Sequence, residues 1–68
     1  MESAKEVANA MQALTERERE VLRLRYGLGL DRELSLAEIG RRFSLSRERI
    51  RQIESHAFAK MRAARAAA

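Results

Sequence analysis

Apolar residues recur along the chain at steps of three and four, the period of one helix face rather than of a strand. β-Branched residues are few and proline is absent, so the pattern predicts an all-α chain of four helices. The first covers roughly residues 3–13, with Val7 and Met11 one turn apart. Thr15 opens the second, where Glu18 at the third following position completes a capping box that satisfies two orphan amides. Val21, Leu22 and Leu24 give that helix its apolar face, Tyr26 closes it as a core ring with its hydroxyl at the edge, and Gly27 suits a left-handed C-terminal cap. Residues 28–34 have no period and read as a loop.

Ser35 and Glu38 repeat the capping box ahead of a short helix in which Leu36, Ile39 and Phe43 point one way. Ser44 and Leu45 interrupt it, and Ser46 caps a last helix from Arg47 to about Arg62. Ile50, Ile53, Ala57 and Met61 form the buried stripe of that helix, and Phe58 flanks it as a core contact. Glu48, Gln52 and Ser55 fall on the opposite side, between Arg49 and Arg51. The tail, residues 63–68, favours helix but has nothing to pack against and is expected to fray.

Two helices joined by a tight turn, the second basic at its start, make a helix-turn-helix over about residues 35–62. Leu36 and Ile39 anchor its first helix, Leu45 plugs the turn, and Ala37 and Gly40 are small where the helices must approach. With 68 residues the chain is one small domain near the lower limit for a single core.

Charge changes the picture. The chain carries a net +4, but residues 1–22 are acidic by two, residues 23–40 are neutral, and residues 41–62 are basic by five. A basic C-terminal half is the footprint of a polyanion binder. There are no cysteines, and the single histidine, His56, has no second ligand at metal spacing, so it reads as facing solvent or phosphate. No cofactor, metal or catalytic constellation is expected, and an enzyme is not. No apolar run exceeds three residues, which points away from a membrane and toward the cytoplasm.

A recognition helix enters the major groove by its N-terminal end. Arginine can bridge guanine O6 and N7, glutamate can accept from cytosine N4, and glutamine can pair with adenine. Arg47, Glu48, Arg51 and Gln52 are those residue types in the first turn and a half, and they are the candidate base-reading residues. Glu48 is the most informative of them, because a helix built only to grip phosphate would not carry a carboxylate there. The same carboxylate would also favour the helix dipole, the competing structural reason for its presence.

The segments LTEREREVLRLRYGL (residues 14–28), SLAEIGRRF (residues 35–43) and SLSRERIRQIE (residues 44–54) resemble the fourth conserved region of bacterial sigma factors, the domain that recognises the promoter −35 element. The resemblance runs over residues 14–62. It implies base-reading roles for Arg47, Glu48, Arg51 and Gln52, a neighbouring recognition-helix position for Arg49, and phosphate contacts at Arg17, Arg25 and the helix start at Ser35 and Leu36. It also implies double-stranded promoter DNA and the flap of the RNA polymerase β subunit as partners, the latter docking along the second helix and the following loop, with anti-sigma proteins and activators as further partners. Ala59 stands where the family commonly has a basic residue, and the chain is far shorter than a whole sigma factor, as an excised domain or a stand-alone relative would be. Two other classes remain open: a stand-alone helix-turn-helix regulator reading a two-fold operator, and a helical module whose only partner is protein.

Overall fold

The computed structural model describes residues 11–67, and side chains through residue 66. Three α-helices and no strands are found among them: α1 (Glu16–Tyr26), α2 (Leu36–Phe43) and α3 (Arg47–Ala67). The all-α class is therefore as expected, but the described residues hold three complete helices, not four. Most of the helix expected over residues 3–13 lies outside them, and of it residues 11–13 are described, the first two helical and the third in a turn.

Each helix start follows from its capping residues. At α1 the Thr15 hydroxyl accepts from the Glu18 amide at 3.1 Å, and Glu18 Oε1 accepts from the Thr15 amide at 2.8 Å. At α2 the Ser35 hydroxyl accepts from the Glu38 amide at 3.1 Å, and Glu38 returns the bond to the Ser35 amide at 3.0 Å. Ser46 caps α3 through the Arg49 amide, at 3.0 Å. Helix α1 stops at Gly27, whose φ of 68° is left-handed. A side chain there would also press on the Arg32 backbone at 3.2 Å, so the loop folds back over a position that must stay bare.

Helix α3 crosses both others and unites two apolar clusters. Val21, Leu24, Leu34, Ile39, Ile50 and Ile53 form the first, with Leu36, Phe43 and Leu45 packed against it. Leu14, Leu22 and Ala57 form the second, flanked by Phe58 and Met61. The stripe read from the sequence of α3 is thus divided, its N-terminal half packing between α1 and α2 and its C-terminal half against Leu14 and Leu22. Leu14 and Leu34, which the sequence placed at a helix break and in a loop, are both buried. The Leu34 amide bonds to the Leu24 carbonyl at 3.0 Å, tying the loop's end to the orphan carbonyls of α1.

Two expectations are corrected. Tyr26 is not a core ring: it is 48% exposed, packed edge-on against Phe58 with centroids 6.0 Å apart, and its hydroxyl donates to Glu54 at 3.3 Å. Helix α3 does not give way to a loose tail after Arg62 but continues to Ala67. Alanine and arginine have high helix propensity, so an established helix extends through them at little cost. No helix among the described residues is long and apolar enough to cross a membrane.

The turn between α2 and α3 rests on Gly40. The Leu45 amide donates to the Gly40 carbonyl at 2.8 Å, and a Cβ built on Gly40 would lie 2.6 Å from the Leu45 carbonyl oxygen. That neighbour is backbone and cannot rotate away. Gly40→Ala is therefore expected to destabilise the fold by about 1–3 kcal/mol despite alanine's better helix propensity. Urea unfolding would measure it; a variant as stable as the parent would mean that the turn does not bear on Gly40.

Candidate nucleic-acid interface

The capped start of α3 projects from the helix-turn-helix with its polar residues outward. Arg47, Glu48, Arg49, Arg51 and Gln52 are all exposed, as are Ser55 and His56, while Ile50 and Ile53 on the same helix are buried. The four candidate base-reading residues therefore share the accessible side of one helix end.

They are not independent of one another. Arg51 Nε donates to Glu48 Oε2 at 2.9 Å, and its terminal nitrogen closes on Oε1, making a two-pronged pair one turn apart. That hydrogen bonding holds the Glu48 carboxyl below its ordinary range and the Arg51 guanidinium above its own. Both side chains remain more than half exposed, so the pair orients the two groups without removing them from solvent. A longer contact, 3.4 Å, runs from the Arg49 guanidinium to the Gln52 side-chain oxygen, Oε1.

The residues implied as phosphate contacts divide between the two flanks of α3. Positions 49 and 54 lie about 140° apart around the helix, on opposite edges of its buried stripe. On one edge Arg49 and His56 share a cleft of about 330 Å³ with Arg17 from the first turn of α1. The Arg17 guanidinium lies over the Phe43 ring, 4.7 Å from its centroid. On the other edge Arg25 is only partly exposed and turned inward. It donates to the Leu34 carbonyl at 3.3 Å, and its Nε lies 3.4 Å from Glu54 Oε2 without completing a hydrogen bond. Ser35 and Leu36 stand at the N-terminus of α2, Ser35 exposed and Leu36 half-buried. There Arg32 bridges Glu38 at 2.7 Å and, with the Ser35 amide, lowers the Glu38 carboxyl to about 2.

Two ties escaped the sequence. Glu54 receives both Arg25 and Tyr26 and so joins the end of α1 to the middle of α3. Glu18, legible only as a capping residue, is also bound by Lys60 at 2.8 Å across 42 positions of sequence. No spacing rule links residues so far apart. The only signal was a carboxylate one turn before Leu22 on the same helix face. Among the described residues no group of three or more acidic, histidine or cysteine side chains could hold a metal ion.

Lys60 holds the Glu18 carboxyl below its ordinary value, against burial, which pushes it up. A lowered folded-state pKa gives stability that is present above the unfolded value and lost as pH falls through the folded one. Lys60→Met is expected to cost roughly 1 kcal/mol at neutral pH, since the lysine is partly solvated, with the difference from the parent narrowing in acid. Thermal melts across pH would show it, and a difference independent of pH would remove the charge from the explanation.

The chain is similar in sequence to known proteins. Residues 10–63 match the family model described as sigma-70, region 4. The chain is 51% identical over 57 residues to RNA polymerase sigma factor SigA4 of Synechococcus elongatus, covering 84% of this chain and 18% of that protein. It is 53% identical over 57 residues to sigma factor SigA of Microcystis aeruginosa, covering 84% and 14%, and 48% identical over 52 residues to sigma factor RpoD of Neisseria gonorrhoeae, covering 76% and 8%. The chain thus spans less than a fifth of the length of each of these relatives. With the model matched over most of its length and three capped helices in place, the chain belongs to the sigma-70 region 4 family.

Proposed function

We propose that this domain reads the promoter −35 element as part of a sigma factor, in the cytoplasm, and thereby directs RNA polymerase to initiate transcription. The observation that carries this reading is the exposed Arg47, Glu48, Arg51 and Gln52 set on the first turns of the second helix of a helix-turn-helix. These side chains offer both donors and acceptors, as base edges require and phosphates do not.

In this reading α3 enters the major groove by its N-terminal end. Glu48 accepts from a cytosine amino group, and the arginines bridge the opposed guanines. Because Glu48 and Arg51 are already paired, they present an acceptor and a donor fork side by side, at a spacing fixed before DNA arrives. Pre-ordering of this kind lowers the side-chain entropy lost on binding. Arg17 and Arg49 meet the backbone on one flank of the helix, and Ser35 and Leu36 meet it at the start of α2. Arg25 contributes mainly by holding the end of α1 and Leu34 in place, since its guanidinium already faces Leu34 and Glu54.

Docking on the polymerase β flap belongs to the same proposal. Tyr26, Leu28 and Leu30 are 48%, 50% and 38% exposed and follow one another along the end of α1 and the loop after it. An apolar group of this kind, away from the basic start of α3, suits a protein partner rather than DNA.

Anisotropy titrations at fixed salt, with a TTGACA-type duplex and a duplex changed at one base pair, test the reading. Glu48→Ala is expected to relax discrimination at one G·C pair by roughly 1–3 kcal/mol. Non-specific affinity should rise, because the substitution removes a negative charge and frees Arg51 at once. An unchanged matched-to-mismatched ratio would reduce Glu48 to a helix-dipole partner and leave specificity to the arginines. With the parent, log K should fall by roughly 0.9 per phosphate neutralised for each unit of log salt. A protected region with two-fold symmetry would favour an operator-binding regulator instead.

A further inference from the structure

Arginines of this domain are held by carboxylates, by carbonyl oxygens, as Arg19 is at Met11 and Leu14, and in the case of Arg17 over an aromatic ring. Arg23, Arg32 and Arg51 each close on a carboxylate, from Glu20, Glu38 and Glu48 respectively, and Arg25 faces Glu54. Arg17 does not pair with any carboxylate among the described residues. Its guanidinium carbon lies 4.7 Å from the centroid of the Phe43 ring. Of the two carboxylates adjacent to it in sequence, Glu18 is already bound by Lys60 and by the Thr15 amide, and Glu16 is exposed and makes no ion pair with it.

The difference matters for an anion. A carboxylate that fixes an arginine also cancels its charge toward a phosphate. An aromatic face attracts the cation through its quadrupole and leaves the full positive charge and the in-plane N–H donors available. Phe43 is the last residue of α2 and packs on the apolar cluster beneath it, so the ring is itself fixed. Arg17 is exposed and lines the cleft that Arg49 and His56 also line.

From this juxtaposition we infer that Phe43 is a positioning residue for nucleic-acid binding: its ring holds Arg17 as an uncancelled cation beside Arg49, ready for a backbone phosphate on that flank of α3. The inference rests on the promoter-reading proposal, because it takes Arg17 as a phosphate contact. It assigns to Phe43 a role in binding that its place in the helix pattern, as a core residue, does not contain.

The test uses the 68-residue chain and a fluorescent TTGACA-type duplex, with Arg17→Ala, Phe43→Leu, Phe43→Tyr and the Arg17→Ala/Phe43→Leu double variant. Leucine keeps an apolar side chain on the core and removes the ring; tyrosine keeps the ring. Phe43→Leu should weaken binding roughly two- to fivefold, the range of an exposed cation–π contact. Phe43→Tyr should bind as the parent does, and Phe43→Leu should add nothing once Arg17 is alanine. Equal losses from Phe43→Leu with and without Arg17, or a tyrosine variant as weak as the leucine one, would overturn the positioning role and leave the phosphate contact standing. If Arg17→Ala changes neither affinity nor salt slope, the phosphate contact itself fails and the inference with it. A second measurement needs no variant to fold: in the parent chain the Arg17 side-chain protons should show an upfield ring-current shift, and its absence would also overturn the inference.

Discussion

The approach of Leu45 to Gly40 is the constraint on which the rest of the domain depends. A glycine in a helix weakens it, yet here the carbonyl oxygen of the turn occupies the space a Cβ would need. The hydrogen bond from the Leu45 amide to the Gly40 carbonyl closes the same contact from the other side. Ser44 takes a left-handed conformation, φ 57° and ψ 41°, to bring the chain through so short a path. The turn then delivers Leu45 to the core and Ser46 to its capping position, and the direction of α3 follows from both. Every exposed residue at the start of α3 inherits its place from that turn.

Charge is distributed so that fixed and available cations are separated. Along the outside of α1 and the loop, arginines meet carboxylates a turn or so away and are neutralised there, as in the Glu20–Arg23 and Arg32–Glu38 pairs. Across the interior, Glu18–Lys60 and Arg25–Glu54 bind α1 to α3 at its two ends. Of the arginines in no ion pair with a carboxylate, Arg47 and Arg49 stand at the start of α3 and Arg17 in the cleft beside it. The Glu48–Arg51 pair is the exception, an ion pair inside the basic region. Its presence there is understandable if an acceptor is needed on that surface as much as a donor.

Local features were legible in the sequence because their physics is local. Both capping boxes, the Ser46 cap, the glycine at the end of α1 and the inward isoleucines of α3 involve residues within one turn of each other, and all are found. Features set by distant contacts were not. Leu14 and Leu34 carry no helical period, yet both are buried once α1 and α3 have packed. Tyr26 has the period of a core residue, but the two leucines before the cap fill the interior first and leave the ring at the surface beside Phe58. The approach of Arg25 to Glu54 joins residues 29 apart in sequence and carries no local signal. The exposed set at the start of α3 was legible in full, since it needs only helix phase; its internal pairing, and the ring beneath Arg17, needed coordinates.

The central claim is that the start of α3, and not the apolar end of α1, is the surface that meets DNA. Backbone and side-chain NMR shifts of the chain titrated with a matched duplex at low salt test it most directly. The account predicts that the largest changes fall on residues 47–52 and on the side chain of Arg17, with Tyr26, Leu28, Leu30 and Lys60 nearly unmoved. Large changes confined to residues 26–30, with residues 47–52 unaffected, would contradict it.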